Sequence, residues 1–359
     1  MGPLTRLIVE GSAATVGSTH GTAFASDIRR YAVERARLSA VGTDLDRSAI
    51  VDIADEMLPA HETYDPELYE EMLAMAEAAD ISPGEAVIVG GYTDFIDAVR
   101  AVAGGTAFED TCTAMITPDA SSEGAGFLAQ TWDMHASATP HVFLLDVAVN
   151  DRPRALVFTT HGTLGQIGMN DAGITIGINN LTVTDGALGV TWPFVVRKAL
   201  NQRSFEAALA CILDAPLAGG HNFLLLDAGG NGASIEATPT QHRVERLRDV
   251  PLVHTNHCLA PNTQSVQADR PVSLMRSSTD RMSHATSALA QSAMASGSYT
   301  SERLMELLRD ERSICRHPDP EYGYESSGAV VARPRTGGFW ACWGIPSENT
   351  FEHFTFNEK

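Results

Sequence analysis

Hydrophobic and polar positions follow one rhythm up to residue 111 and another after it. In the first segment, Leu68, Met72, Met75 and Ala79 recur at helical spacing and make a single apolar stripe. Asp65-Pro66 opens that stripe as an N-cap followed by proline at the first helical position. Ser82-Pro83-Gly84-Glu85 reads as a capping box that starts another helix, running towards Val102 and stopped by Gly104-Gly105. Residues 24–40 form a further amphipathic pattern, so the whole of 1–111 reads as helical. Beyond residue 112 the period falls to two or gives way to short apolar runs. These predict strands at 127–131, 142–149, 155–160, 174–179, 222–227, 233–237, 252–255, 329–333, 339–343 and 351–356. Helical patterns return at 193–201, 205–213, 272–293 and 301–310. The turn Asp227-Ala228-Gly229-Gly230-Asn231-Gly232 predicts a hairpin. Strands and helices come in blocks, which points to a layered α+β architecture rather than a doubly wound parallel sheet.

Charge narrows the partners. The net charge is −20. Residues 1–111 hold 20 acidic and 7 basic side chains, so most of the excess lies there. That balance argues against nucleic acid or an anionic membrane as partner. Lys198 and Lys359 are the only lysines, and no glycine-rich loop precedes Lys198, which disfavours P-loop and Schiff-base chemistry. Residues 1–10 lack the apolar core of a secretory signal, and no run of 18 apolar residues suits a membrane span. Five scattered cysteines suggest a reducing compartment, so a cytoplasmic protein is expected.

Four places offer chemistry. Cys112 stands at the junction of the two rhythms. It reads either as a buried structural thiol or as a nucleophile. Cleavage of the Thr111–Cys112 bond would give it an α-amino group able to act as base. Asp133 follows twenty-one residues later in Gln130-Thr131-Trp132-Asp133; a strand out and a strand back would return it to Cys112. Otherwise it is an ordinary turn aspartate. His254-Thr255-Asn256-His257-Cys258 invites a zinc reading, but a strand sends residues 254 and 257 to different faces. The Asn256 amide is the better candidate, as donor to a developing oxyanion. Arg281, in Ser277-Ser278-Thr279-Asp280-Arg281, is either a surface arginine or a carboxylate binder.

Together these stretches resemble the acyl-coenzyme A:6-aminopenicillanic acid acyltransferase family of self-processing N-terminal-nucleophile cysteine hydrolases. Glu10-Gly11-Ser12, Gly17 and His20-Gly21 are similar to its opening motif, and Asp110-Thr111-Cys112-Thr113 to its processing site. Gln130-Thr131-Trp132-Asp133, the stretch from Gly165 to Gly173, Asn179-Asn180-Leu181, Ile235-Glu236-Ala237-Thr238-Pro239, and the segments around Asn256 and Arg281 resemble its later landmarks.

The resemblance implies a four-layer αββα sandwich and no cofactor. It implies Cys112 as nucleophile with its freed α-amine as base, and Asp133 positioning that amine. Asn179 and Asn256 become the oxyanion- and amine-binding amides, and Arg281 orders the site. It also implies an α/β heterodimer cut from one precursor, residues 1–111 and 112–359, acting on a small-molecule amide or thioester. Thr111 replaces the family's usual glycine, and its β-branch restricts the backbone before the bond to be cut. Gln130 stands where the bile-salt hydrolases carry arginine. Amide hydrolysis is the expected activity, with acyl transfer to an amine, an uncleaved ligand-binding protein, or a metal-dependent hydrolase at His254 and His257 as alternatives.

Overall fold

A computed structural model describes residues 4–105, 111–296, 298–320 and 323–356. The chain opens with strand β1 (Arg6–Gly11) and seven helices: α1 (Ala13–Ala23), α2 (Ala25–Ser39), α3 (Arg47–Asp55), α4 (Leu58–Tyr64), α5 (Pro66–Ala79), α6 (Pro83–Gly90) and α7 (Tyr92–Ala103). Strands β2 (Thr113–Ile116), β3 (Leu128–His135), β4 (Val142–Val149), β5 (Ala155–Thr160), β6 (Ile167–Asn170) and β7 (Ile174–Leu181) follow. Next come α8 (Trp192–Leu200) and α9 (Phe205–Leu213), then β8 (Gly220–Asp227), β9 (Gly232–Ala237), β10 (His242–Arg246) and β11 (Leu252–His254). Helices α10 (Pro261–Gln264), α11 (Val272–Ser296) and α12 (Ser301–Leu308) precede β12 (Tyr324–Arg333), β13 (Gly338–Trp343) and β14 (Glu352–Phe354).

Among the described residues the strands form two sheets. One has eight strands in the order β1-β4-β5-β6-β7-β8-β9-β10, the other six in the order β11-β2-β3-β12-β13-β14. Every pairing is antiparallel except β1 with β4. Side-chain alternation in the smaller sheet separates its two faces. Ala114, Ile116, Leu128, Val330 and Ala332 enter the core shared with the larger sheet. Met115, Ala129, Ala329 and Val331 instead pack with Leu289, Leu304 and Leu308 of α11 and α12. On the far side, α8 lies against β6 and β7, α9 against β8 and β9, and α1 against β4. The order is helices, sheet, sheet, helices: the expected αββα sandwich.

The expected strands at 142–149 and 155–160 and the helix at 205–213 have the boundaries read from the sequence. The 227–232 turn joins β8 to β9 as a hairpin. Residues 1–111 are not wholly helical. Leu7-Ile8-Val9, an apolar run with two β-branched residues, lies at the centre of β1, whose parallel pairing with β4 ties the N-terminal segment into the larger sheet. The single helix expected from Ser82 towards Val102 breaks at Gly90-Gly91 into α6 and α7. Gly17 and Gly21 let α1 lie directly on α5: a Cβ at Gly17 would stand 2.0 Å from the Glu71 carbonyl oxygen, and one at Gly21 2.4 Å from that of Met75. The opening motif is thus a helix-packing device.

Candidate active site

Strand β2 pairs with β3 in the register Thr113 to Thr131 and Ala114 to Gln130. The hairpin returns Asp133 to Cys112, as the spacing required. Cys112 lies immediately before β2 and is fully buried, its Sγ 3.9 Å from the Asp133 carbonyl oxygen. The Cys112 N–H donates to Asn256 Oδ1 at 2.7 Å. Arg281 Nη1 donates to the Cys112 carbonyl oxygen and, at 3.1 Å, to Thr113 Oγ1, while Nη2 donates to Asn256 Oδ1 at 3.0 Å. Both polar atoms of the Cys112 main chain are therefore gripped by side chains. Thr111 is also fully buried, its hydroxyl without a hydrogen-bond partner among the described residues. Asp110 of the processing motif lies outside the described residues.

Asn256 sits just past the end of β11, where the strand gives way to a bend. Its N–H donates to Ser278 Oγ at 2.9 Å, and its Nδ2 donates to the Asn180 carbonyl oxygen at 3.1 Å. The amide is held from both ends, with its oxygen towards Cys112. Arg281 reaches the same point from α11, about one turn past Ser278.

Two buried charges sit beside the thiol. Burial pushes the Asp133 carboxyl up to about 6, against the opposing pull of the Arg281 guanidinium. Burial likewise lowers Arg281 to about 10. Asp133 Oδ1 accepts a hydrogen bond from Ser326 Oγ at 2.7 Å; Oδ2 is buried with no partner among the described residues. Across the sandwich, Asn179 Oδ1 accepts from Asn222 Nδ2 at 3.2 Å, and its Nδ2 is a buried donor without a partner among the described residues. Asn179 shares a face of β7 with Gly177, where a Cβ would meet Gln130 Oε1 at 2.5 Å, so it faces the smaller sheet. An unmet acceptor and an unmet donor thus remain in the buried space between the sheets.

Two polar bridges cross that space. Gln130 Nε2 donates to the Ile178 carbonyl oxygen, and the Ile178 N–H donates to Gln130 Oε1 at 2.9 Å. Strand β6 pairs with β7 only at Thr175 and Ile176, and two residues further on the Gln130 amide holds the next peptide. The second bridge joins His254 Nε2 to Glu236 Oε1 at 2.8 Å. Glu236 also accepts from the N–H groups of Leu259 and Ala260 and from Thr263 Oγ1. Burial raises its carboxyl, but His254 and these donors pull it below its ordinary value.

The histidines do not converge. His254 Nδ1 lies 2.8 Å from the Thr255 carbonyl oxygen, so both ring nitrogens have partners, and His257 Nδ1 is 2.8 Å from Ser278 Oγ. Their spacing is satisfied by hydrogen bonds within the sandwich. Among the described residues, the one grouping of three metal-ligating side chains does not include them. Ser326, Asn222 and the bridging roles of Gln130 and Glu236 escaped the sequence reading, since a serine in a strand and a glutamine in a strand carry no periodic signal. Ser278 was visible only as a neighbour of Arg281.

The comparisons place the chain. The sequence profile of the family described as acyl-coenzyme A:6-aminopenicillanic acid acyl-transferase matches residues 120–347, beginning just beyond Cys112. The chain belongs to that family. It is similar to the 40 kDa form of acyl-coenzyme A:6-aminopenicillanic-acid-acyltransferase from Emericella nidulans, with 24% identity over 316 residues, 86% of this chain and 83% of that protein. Among solved structures, a mutant of conjugated bile acid hydrolase from Clostridium perfringens has a TM-score of 0.48 at 11% identity, covering 69% of this chain and 93% of that one. Penicillin V acylase from Agrobacterium tumefaciens has a TM-score of 0.35 at 8% identity, covering 70% and 80%.

Proposed function

We propose that the chain is a self-processing amidohydrolase that cleaves the C–N bond of a small-molecule amide through a thioester on Cys112. The observation that carries this is the grip on the Cys112 main chain: Asn256 Oδ1 on its N–H and Arg281 on its carbonyl oxygen, with the thiol beside Asp133.

In processing, Sγ attacks the Thr111 carbonyl carbon, the C–N bond breaks, and the acyl group passes to sulfur while the nitrogen takes the thiol proton. Water hydrolyses the thioester, leaving a Thr111 carboxylate and Cys112 with an α-amine. That amine inherits the hydrogen bond to Asn256 Oδ1, and Asp133 Oδ2 offers a carboxylate oxygen to its protonated form. An α-amine of ordinary pKa about 7.7–8.0 suits a general base near neutrality. It takes the thiol proton, the thiolate attacks the substrate carbonyl, and the amine leaves with a proton returned from the α-ammonium. Water then releases the acid.

Of the two asparagines, Asn179 fits the oxyanion better. Its Nδ2 is unspent, whereas Asn256 Nδ2 already serves the Asn180 carbonyl oxygen. Arg281 fixes Cys112 and Asn256 together, a positioning role.

Acyl transfer is the second reading, favoured by the likeness to the Emericella nidulans acyltransferase. The net charge of −20 opposes long-range attraction of an anionic coenzyme A thioester, which leans the reading towards hydrolysis. The test incubates processed protein with a simple acyl amide donor, with and without an added amine, and follows Cys112 by intact mass. Hydrolysis predicts an acyl adduct on Cys112 and free acid as the main product. N-acylated amine dominating at modest amine concentration would replace hydrolysis with transfer. Absence of an adduct with any turnover persisting in Cys112→Ala would refute both.

A further inference from the structure

We propose that Asp27, His141 and His161 form a binding site for a divalent transition-metal ion such as zinc, clasping the N-terminal helical segment to the larger sheet. His141 immediately precedes β4 and His161 immediately follows β5; the His161 N–H donates to the His141 carbonyl oxygen at 3.0 Å, so the two stand side by side at the adjoining ends of neighbouring strands. Their Nδ1 atoms face each other at 3.4 Å. Asp27 comes from α2 and brings Oδ2 to 3.8 Å from His161 Nδ1, and all three ligand atoms lie within 4.8 Å of one another. Two nitrogens bound to one tetrahedral zinc at about 2.0–2.1 Å stand roughly 3.3 Å apart. The imidazole pair already has that separation, and a small closure of Asp27 completes the third edge.

The surroundings hold this geometry. The Tyr31 ring stacks on His141 at 4.2 Å and the Phe24 ring on His161 at 3.9 Å, with Phe143 at 5.3 Å. Arg30 pairs with Asp27 through Oδ1, which orients the carboxylate and leaves Oδ2 towards the histidines. Both imidazoles are buried, which disfavours their charged forms and leaves each a lone pair to offer. Arg30 bears on His161 and Arg35 on His141 with opposing positive charge, countered by Asp27 at both rings and by Glu34 at His141. Asp27 is about a third exposed, so an ion can enter and a water can fill the fourth position. Imidazole and carboxylate ligands suit zinc, cobalt or nickel rather than magnesium or calcium. Two ligands follow residue 112 and one precedes it, so the ion would bridge the two fragments of a processed chain. The site needs neither the processing nor the activity proposed above.

The test uses the full chain as Cys112→Ala, which leaves no nucleophilic thiol at residue 112 to compete. Equilibrium dialysis against zinc should give one ion per chain, and cobalt should give the visible absorption of a four-coordinate nitrogen and oxygen site without a sulfur charge-transfer band. Asp27→Ala, at a partly exposed helix position, should keep the circular dichroism of the parent and weaken binding by at least ~10-fold. His161→Ala should abolish stoichiometric binding. No zinc retained by the parent, retention unchanged in Asp27→Ala, or a thiolate band with cobalt would overturn the site. The short nitrogen–nitrogen approach would then be a shared N–H···N hydrogen bond.

Discussion

Asp133→Asn isolates the electrostatics of the site. The substitution keeps the shape and leaves a side-chain oxygen for the Ser326 hydroxyl, but removes the buried charge. Folding raises the Asp133 carboxyl from 3.8 to about 6, chiefly through burial. A raised carboxyl favours the protonated folded state, so the sign is unusual for an acid. The group costs nothing below the unfolded value, the cost grows as pH rises, and it is complete above the folded value. The full cost is ~3 kcal/mol, and about half of it is already present at pH 5. Between pH 5 and pH 7.5 the parent should therefore lose ~1 kcal/mol relative to the asparagine variant. Urea unfolding at the two pH values, with both proteins carrying Cys112→Ala so that the chain stays whole, reads this difference directly. Parallel stability profiles would refute the claim that burial, rather than the Arg281 charge, governs this carboxyl. In an otherwise unaltered chain the same substitution should lower turnover, because it removes the counter-charge to the α-ammonium.

Gln130→Ala should destabilise the fold by ~2–5 kcal/mol, because it leaves the Ile178 N–H and carbonyl buried and unpaired; a urea midpoint within error of the parent would count against the bridge. Gly17→Ala drives a methyl into the Glu71 carbonyl oxygen and should cost about 1–3 kcal/mol or more, seen as a lowered melting temperature. Asn179→Ala should fold and process yet lose about 10²–10³ in turnover, as expected for one oxyanion donor; Asn256→Ala should lose processing as well, and full activity in both would remove these amides from the mechanism.

Much of the architecture was legible because it is periodic. The stripe through Leu68, Met72, Met75 and Ala79 is buried, and Asp65 caps its helix as read. Strands β4 and β5 announced themselves as short apolar runs between turns, β4 interrupted by Asp146 alone. Strand β1 did not, since three apolar residues are too few to set a period and its pairing with β4 is remote in sequence. The break at Gly90-Gly91 follows from tertiary contact: a Cβ on Gly91 would stand 2.2 Å from the Thr191 side chain. At the site, Cys112 and Asp133 could be linked by counting a hairpin. The meeting of Asn256 and Arg281 with Cys112 spans more than 140 residues and became visible only through likeness to known motifs. The orientation of Asn256 depends on the Asn180 carbonyl and Ser278, which no local pattern encodes.

The central claim is that Cys112 becomes an N-terminal nucleophile by its own chemistry. Intact-protein mass spectrometry of the purified chain, followed by N-terminal sequencing, tests it most directly. The account predicts two fragments that stay associated, the larger beginning at Cys112, and a single full-length species for Cys112→Ala. A parent chain that remains whole, or a larger fragment beginning at any other residue, would contradict it.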